Sequence, residues 1–119
     1  MTRSELEEYI FDTYGVRPDY PWDGTPSSEV FRHGDNKKWF ALIMDVTKSS
    51  LGIPGGGTLC AVNLKCGPIV GGSLCGQNGF FPAYHMNKEN WVTVVIDGGV
   101  SDEKLKSLVR MSYDLTSGK

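Results

Sequence analysis

Several things are scarce in this 119-residue chain, and each scarcity excludes something. Basic charge is not in excess: 12 Lys and Arg against 14 Asp and Glu give a formal net charge of −2, which argues against strong nonspecific duplex binding through phosphate neutralisation. Cysteine is sparse and odd in number: Cys60, Cys66 and Cys75 form no CxxC pair, so they read as free thiols rather than a disulfide frame or a zinc site. No run is long and apolar enough to span a bilayer. The N-terminal Met-Thr-Arg-Ser-Glu-Leu-Glu-Glu is too acidic and polar for a signal peptide, and the expected location is the cytoplasm. Also missing are G-x-S-x-G, a Walker-type phosphate loop and His/Cys/Asp sets at metal spacing. No cofactor, metal or enzymatic activity is expected. The triple glycine at 55–57 is not followed by a helix with Lys-Ser/Thr, and pairing Cys75 with His85 would be a coincidence of residue types.

What is present fits one domain spanning 1–119 with a core of its own. Thr2 and Glu5 form a capping box for a helix over 2–14, with Met1 and Leu6 as its staple and Gly15 as its stop. Residues 16–28, with Pro18, Pro21, Gly24 and Pro26, read as a loop. Strands are expected at 29–33, 38–46, 58–65 and 91–96. Period-two alternation in the second sets Phe40, Leu42, Met44 and Val46 against Trp39, Ala41, Ile43 and Asp45. The glycines at 52 and 55–57 make 47–57 a flexible connection, and glycines between 67 and 79 limit any helix there to a turn near 69–74. Ser101 caps a final helix over 101–116, with Asp102 and Glu103 in its first turn and Leu105, Leu108, Val109, Ser112 and Leu115 along its buried stripe.

Two amphipathic helices require one apolar sheet face to cover them. The expected architecture is therefore an α+β two-layer sandwich, an antiparallel sheet with both terminal helices on one side. The helix-facing set is Phe40, Leu42, Met44, Val62, Leu64, Val92, Val94 and Ile96. The other face then carries Trp39, Asn63, Lys65, Trp91 and Thr93, and it serves either as a binding platform or as a surface covered by loops.

The stretch from Pro82 to Asp97 concentrates the candidate chemistry: His85, Asn87, Lys88 and Asn90 lead directly into a strand that opens with Trp91. No Asp or Glu occurs from Val46 to Lys88, while Lys48, Lys65 and Lys88 do, so one face is expected to be locally positive on an acidic protein. His85 can donate to an anion or bond a backbone carbonyl within a turn. Asn87 fits a left-handed turn position better than a ligand contact. Lys65 and Lys88 suit an anion but are ordinary as solvated lysines. Trp22, Trp39 and Trp91 either stack on bases or pack on one another, and the second is favoured. The four acids of the first helix, Glu5, Glu7, Glu8 and Asp12, read as a solvated face rather than an iron site.

Lys38–Val46, Asn63-Leu64-Lys65-Cys66, Tyr84-His85-Met86-Asn87-Lys88 with Trp91, Ile96-Asp97-Gly98, Ser112-Tyr113-Asp114-Leu115 and the pair Pro21-Trp22 together resemble the MmcQ/YjbR-like family. The resemblance implies a CyaY-like fold, described as a double-wing DNA-binding domain, and supplies no catalytic set. The chain departs from that pattern at Gly71–Gly79, where relatives carry a more charged helical segment with an arginine near the position of Cys75. The resulting expectation is a non-enzymatic protein, a monomer with an oligomer left open, that contacts DNA or another anionic partner weakly through Lys65, His85, Asn87, Lys88, Trp91, Trp39 and Trp22. The alternative is a protein-interaction or small-ligand module that uses the open sheet face.

Overall fold

A computed structural model describes every residue of the chain except His85, Lys88, Asp97, Gly98 and Lys119. The first helix, α1 (Arg3–Tyr14), begins as its capping box requires: the Thr2 hydroxyl accepts from the Glu5 amide, and the Glu5 carboxylate accepts from the Thr2 amide at 2.8 Å. It ends at Gly15, whose φ of 69° is the left-handed conformation that glycine adopts without Cβ strain. The chain then forms β1 (Glu29–Arg32), β2 (Trp39–Thr47), β3 (Thr58–Lys65), the short helix α2 (Pro68–Leu74), β4 (Phe80–Pro82), β5 (Trp91–Val95) and α3 (Asp102–Leu115). Strands associate in the order β1-β2-β3-β5-β4, each neighbouring pair antiparallel.

Both terminal helices cover one face, as the two-layer reading requires. Leu6 and Ile10 of α1 and Leu105, Leu108 and Val109 of α3 share a single core with Phe31, Ile43, Val62, Leu64, Val92 and Val94. The helix α2 lies on the same side, with Leu74 buried in that core. Gly71 sits tightly against the buried Cys66: a Cβ there would lie 3.0 Å from the Cys66 sulfur, so a glycine suits this spot despite its low helix propensity.

The structure corrects three expectations. First, the face of β2 is reversed beyond Phe40. The pairing shifts between Phe31 and Arg32, so Ala41 opposes Phe31 while Trp39 opposes Arg32, leaving Phe40 as an extra residue in a bulge. Phe40 and Ala41 can therefore both turn to the helices, followed by Ile43, while Leu42, Met44 and Val46 face the other way with Val30 and Ala61. Second, β4 was not anticipated. Its three residues pair with the end of β5 and place Phe80 in the main core. Third, the 47–57 connection is not featureless: Thr47 caps a 3-10 turn over Lys48–Leu51 that closes at Gly52.

One hydroxyl on α3 completes the sheet at the bulge. Ser112 is fully buried; its Oγ donates to the Phe40 carbonyl at 2.5 Å and accepts from the Lys65 amide at 2.8 Å. The β2–β3 ladder runs from Ala41–Leu64 to Thr47–Thr58, so this side chain satisfies the next donor and acceptor beyond the ladder's end.

Candidate ligand site on the open sheet face

The face turned away from the helices is apolar near β1 and β2 and polar near β5. Leu42, Met44, Val46, Val30 and Ala61 form a second, smaller cluster, with Trp39, Leu51, Tyr84 and Met86 packed against it. Their cover comes from three loops: 16–28, the 3-10 turn, and the loop between β4 and β5. The β4–β5 loop is anchored by a buried polar relay. Thr93 Oγ1 donates to Asn63 Oδ1 at 2.5 Å, Asn63 Nδ2 donates to the Tyr84 carbonyl at 2.8 Å, and the Tyr84 amide donates back to Thr93 Oγ1 at 2.9 Å. Asn63 and Thr93 are fully buried, so this sheet face binds the loop backbone rather than water.

Between the loops lies a hollow of ≈ 470 Å³ walled by Trp22, Trp39, Leu42, Met44, Tyr84 and Met86, with Thr25, Ser28 and Asp45 also in its lining. That is within the range of small-molecule sites, which join apolar and aromatic walls to a few polar groups. Trp22 stands edge-on to Trp39, with ring centroids 5.6 Å apart at 90°. The Arg32 guanidinium lies 5.7 Å from the Trp39 ring centre. Its Nε is 3.0 Å from Asp19 Oδ2, close enough for an ion pair but not aligned for a hydrogen bond.

A charged cluster stands at Asp45 on the helix side of the sheet, where Asp45 pairs with Cys60 and α1 crosses the start of β1. Arg3 lies 3.2 Å from Glu29, 3.6 Å from Glu7 and 3.8 Å from Asp45. It also donates to the Ser27 carbonyl. Glu29 is fully buried and accepts from the Tyr20 hydroxyl at 2.7 Å, while Ser27 Oγ donates to Asp45 at 3.4 Å. Glu7 is pushed up to about 7, chiefly by its hydrogen bond to Glu29, then by burial and by the Glu29 charge, against the opposing pull of Arg3. The Glu7 carboxyl thus keeps its proton toward neutral pH, next to Glu29 and one guanidinium. On β3, burial pushes the neighbouring Cys60 thiol up to about 11 and also raises Cys66, so neither is a ready nucleophile. Among the described residues, no three His, Cys, Asp or Glu side chains gather as a metal site, and no helix is long and apolar enough to cross a membrane.

The residues expected to form the site separate into three groups. Trp22 and Trp39 meet in the hollow and pack on each other, while Trp91, expected to join them, lies outside it. Lys65 and Trp91 oppose each other on β3 and β5, on the same open face and toward the end where Trp39 begins β2, but outside the hollow. Asn87 is a turn residue: its Oδ1 accepts from the Glu89 amide at 2.9 Å and its carbonyl from the Trp91 amide at 3.0 Å. It does not have the left-handed conformation expected of it. His85 and Lys88 lie outside the described residues. Leu42, Met44, Asp45, Tyr84 and Met86 are functional candidates that sequence reading missed. The available signal was that β2 is apolar on both faces, which implies a partner for each.

This arrangement, five antiparallel strands with helices on one side and a loop-walled hollow on the other, belongs to a defined class. The YjbR family model matches residues 4–115, and the chain is a member of that family. It is 36% identical over 116 residues to the uncharacterized protein YyaQ of Bacillus subtilis, covering 98% of both chains. A crystal structure of a Pseudomonas syringae protein matches with 41% identity and a TM-score of 0.95, over 98% of this chain and 99% of that one. A Deinococcus radiodurans protein of known structure matches at 28% identity with a TM-score of 0.75, over 99% of this chain and 80% of that one.

Proposed function

We propose that this YjbR-family domain is a non-enzymatic binding module that takes a small, largely apolar ligand into the hollow on its open sheet face. The observation that carries this reading is the aromatic and thioether wall of Trp22, Trp39, Tyr84, Met44 and Met86 around ≈ 470 Å³. Methionine adapts its shape to a guest, and aromatic rings offer large rigid contact areas. Among the described residues that line the hollow, Asp45 is the one charged side chain, and the Arg32 guanidinium beside Trp39 is paired with Asp19. The test is a small-fragment screen read by the indole N–H signals of Trp22 and Trp39. Hits should shift those two signals and lose affinity in Trp22→Ala. Hits that move only Trp91, or none at all, would refute the proposal.

A second reading, nucleic-acid or other anion contact, is supported by Lys65 opposite Trp91 on the same face. It expects binding to single-stranded oligonucleotides that weakens with salt along a shallow log–log slope, on the order of −1 to −2 for two contacts or so. Lys65→Ala should reduce that binding without altering thermal stability. Absence of binding at low salt would end this reading and leave the first untouched.

A further inference from the structure

We infer that Cys66 and Cys75 form a reversible dithiol–disulfide couple across α2, oxidised by a hydroperoxide. Both thiols are free and they bracket the helix: Cys66 stands two residues before Pro68, and Cys75 is the C-cap. Gly71 places the first sulfur. A Cβ built there would lie 3.0 Å from Cys66 Sγ, so this sulfur rests against the helix in the space a side chain would need. Cys75 follows one turn later on the same face, its amide donating to the Gly71 carbonyl at 3.0 Å. Residues so spaced have Cβ atoms about 5–6 Å apart, and their side chains lean toward the helix N-terminus. The Cys75 side chain thus leans back toward the place where the Cys66 sulfur rests. Cys66 lies within the main core and Cys75, half-buried, packs against it. Burial raises the Cys66 thiol first, and the nearness of Cys75 raises it further.

The more accessible Cys75 reacts first. Its thiolate attacks a peroxide oxygen, the O–O bond breaks, and the alcohol or water leaves with the thiol proton, giving a sulfenic acid. Cys66 then attacks that sulfur. The S–S bond forms, the S–O bond breaks, and the hydroxyl leaves as water with the Cys66 proton. Two electrons pass from the thiols to the peroxide, and an external dithiol returns them. The bridge would tie together the flanks of a seven-residue helix that contains Gly71 and Gly72 and is weak by propensity, so oxidation stiffens α2.

The full chain is treated with hydrogen peroxide, its remaining thiols are alkylated, and it is digested with trypsin. No Lys or Arg falls between Cys66 and Lys88, so one peptide, 66–88, carries both thiols, while Cys60 lies on the peptide before it. Peptide 66–88 should lose two hydrogens and take no alkyl group, Cys60 should stay alkylated, and dithiothreitol should reverse the change. Cys75→Ser should leave Cys66 open to alkylation. The equilibrium constant for closing the bridge against glutathione separates a poised pair from mere nearness in the chain. It should be larger in the folded protein than in urea, on the order of tenfold or more, because the fold has already brought the sulfurs together. Two alkyl groups on peptide 66–88 after peroxide, a link to Cys60 or between chains, or a constant no larger in the folded protein than in urea would overturn the inference.

Discussion

Replacing Ser112 by Ala tests the physical logic of this fold at its most constrained point. The Ser112 hydroxyl donates to the Phe40 carbonyl at 2.5 Å and accepts from the Lys65 amide at 2.8 Å, with no exposed surface of its own. Alanine removes a methylene-sized polar atom and leaves a buried acceptor and a buried donor without partners. An unmet buried group costs about 1–3 kcal/mol, so two would cost about 2–5 kcal/mol, reduced to the extent that water enters or the strands close up. The strands cannot close easily, because the Phe40 bulge holds Phe31, Ala41 and Trp39 in a shifted register. We expect a loss of about 3 kcal/mol. Urea unfolding should show it as a lower midpoint with the same slope, and the melting temperature should fall by roughly 10 °C or more. Hydrogen exchange adds a local signature: the Lys65 amide should lose protection beyond the global loss of stability. A change below about 0.5 kcal/mol, with the Lys65 amide still protected, would refute the bridging role.

Other perturbations test the remaining polar elements. Because Glu7 is raised from 4.5 to about 7 in the folded state, the folded protein holds a proton that the unfolded chain releases. The associated stability is fully present below about pH 4.5 and is lost as the pH rises through 7. With its side chain 33% exposed, Glu7 should account for about 1–2 kcal/mol, and Glu7→Gln should flatten the decline in urea midpoint between pH 5 and pH 8. An unchanged decline would exclude the raised Glu7 titration. Thr93→Val breaks the relay to Asn63 and Tyr84, and should cost about 1–3 kcal/mol and raise exchange at the Tyr84 amide, loosening one wall of the hollow. If that variant retained wild-type stability and exchange, the loop would have to be held by other contacts.

What the sequence disclosed, and what it concealed, both follow from local chemistry. The termini of α1 and α3 were readable because Thr2, Glu5, Gly15 and Ser101 are capping residues whose function depends on the nearest few positions. The face of β2 was not. From Phe40 to Met44 every residue is buried, so the hydrophobic pattern has no polar phase to mark a direction. The bulge at Phe40 then shifts the alternation by one, a choice fixed by pairing with β1 across the turn rather than by β2 itself. Trp39 was nonetheless placed on the open face, because it precedes the bulge. The strand β4 escaped notice since Phe80–Pro82 is short and ends in proline, and only pairing with β5 makes it a strand. Of the candidate site, Trp22 and Trp39 were legible as aromatics. Tyr84 and Met86 join them only through the buried contacts of Asn63 and Thr93, which no spacing rule reveals.

The bulge also explains why this protein has a hollow at all. In a simple two-layer sandwich an antiparallel sheet buries one face and hydrates the other. Here β2 gives Ala41 and Ile43 to the helices and Leu42 and Met44 to the opposite side, so both faces need cover. Helices meet the first requirement. The second falls to loops, and loops do not tile a sheet as densely as helices do. The gap they leave is bounded by the side chains that lean inward to reduce apolar exposure, Trp22 from 16–28 and Tyr84 and Met86 from the β4–β5 connection. Trp22 is still 36% exposed and gains little by that position in the unliganded chain. A guest that completes its burial would stabilise the fold as well as occupy the site. A ligand of the hollow should therefore raise the melting temperature in proportion to the logarithm of its concentration above the dissociation constant. That rise should shrink in Trp22→Ala. A ligand that shifts the Trp22 and Trp39 signals yet leaves the melting temperature unchanged at saturation would show that the hollow is not part of the folded state's cooperative core.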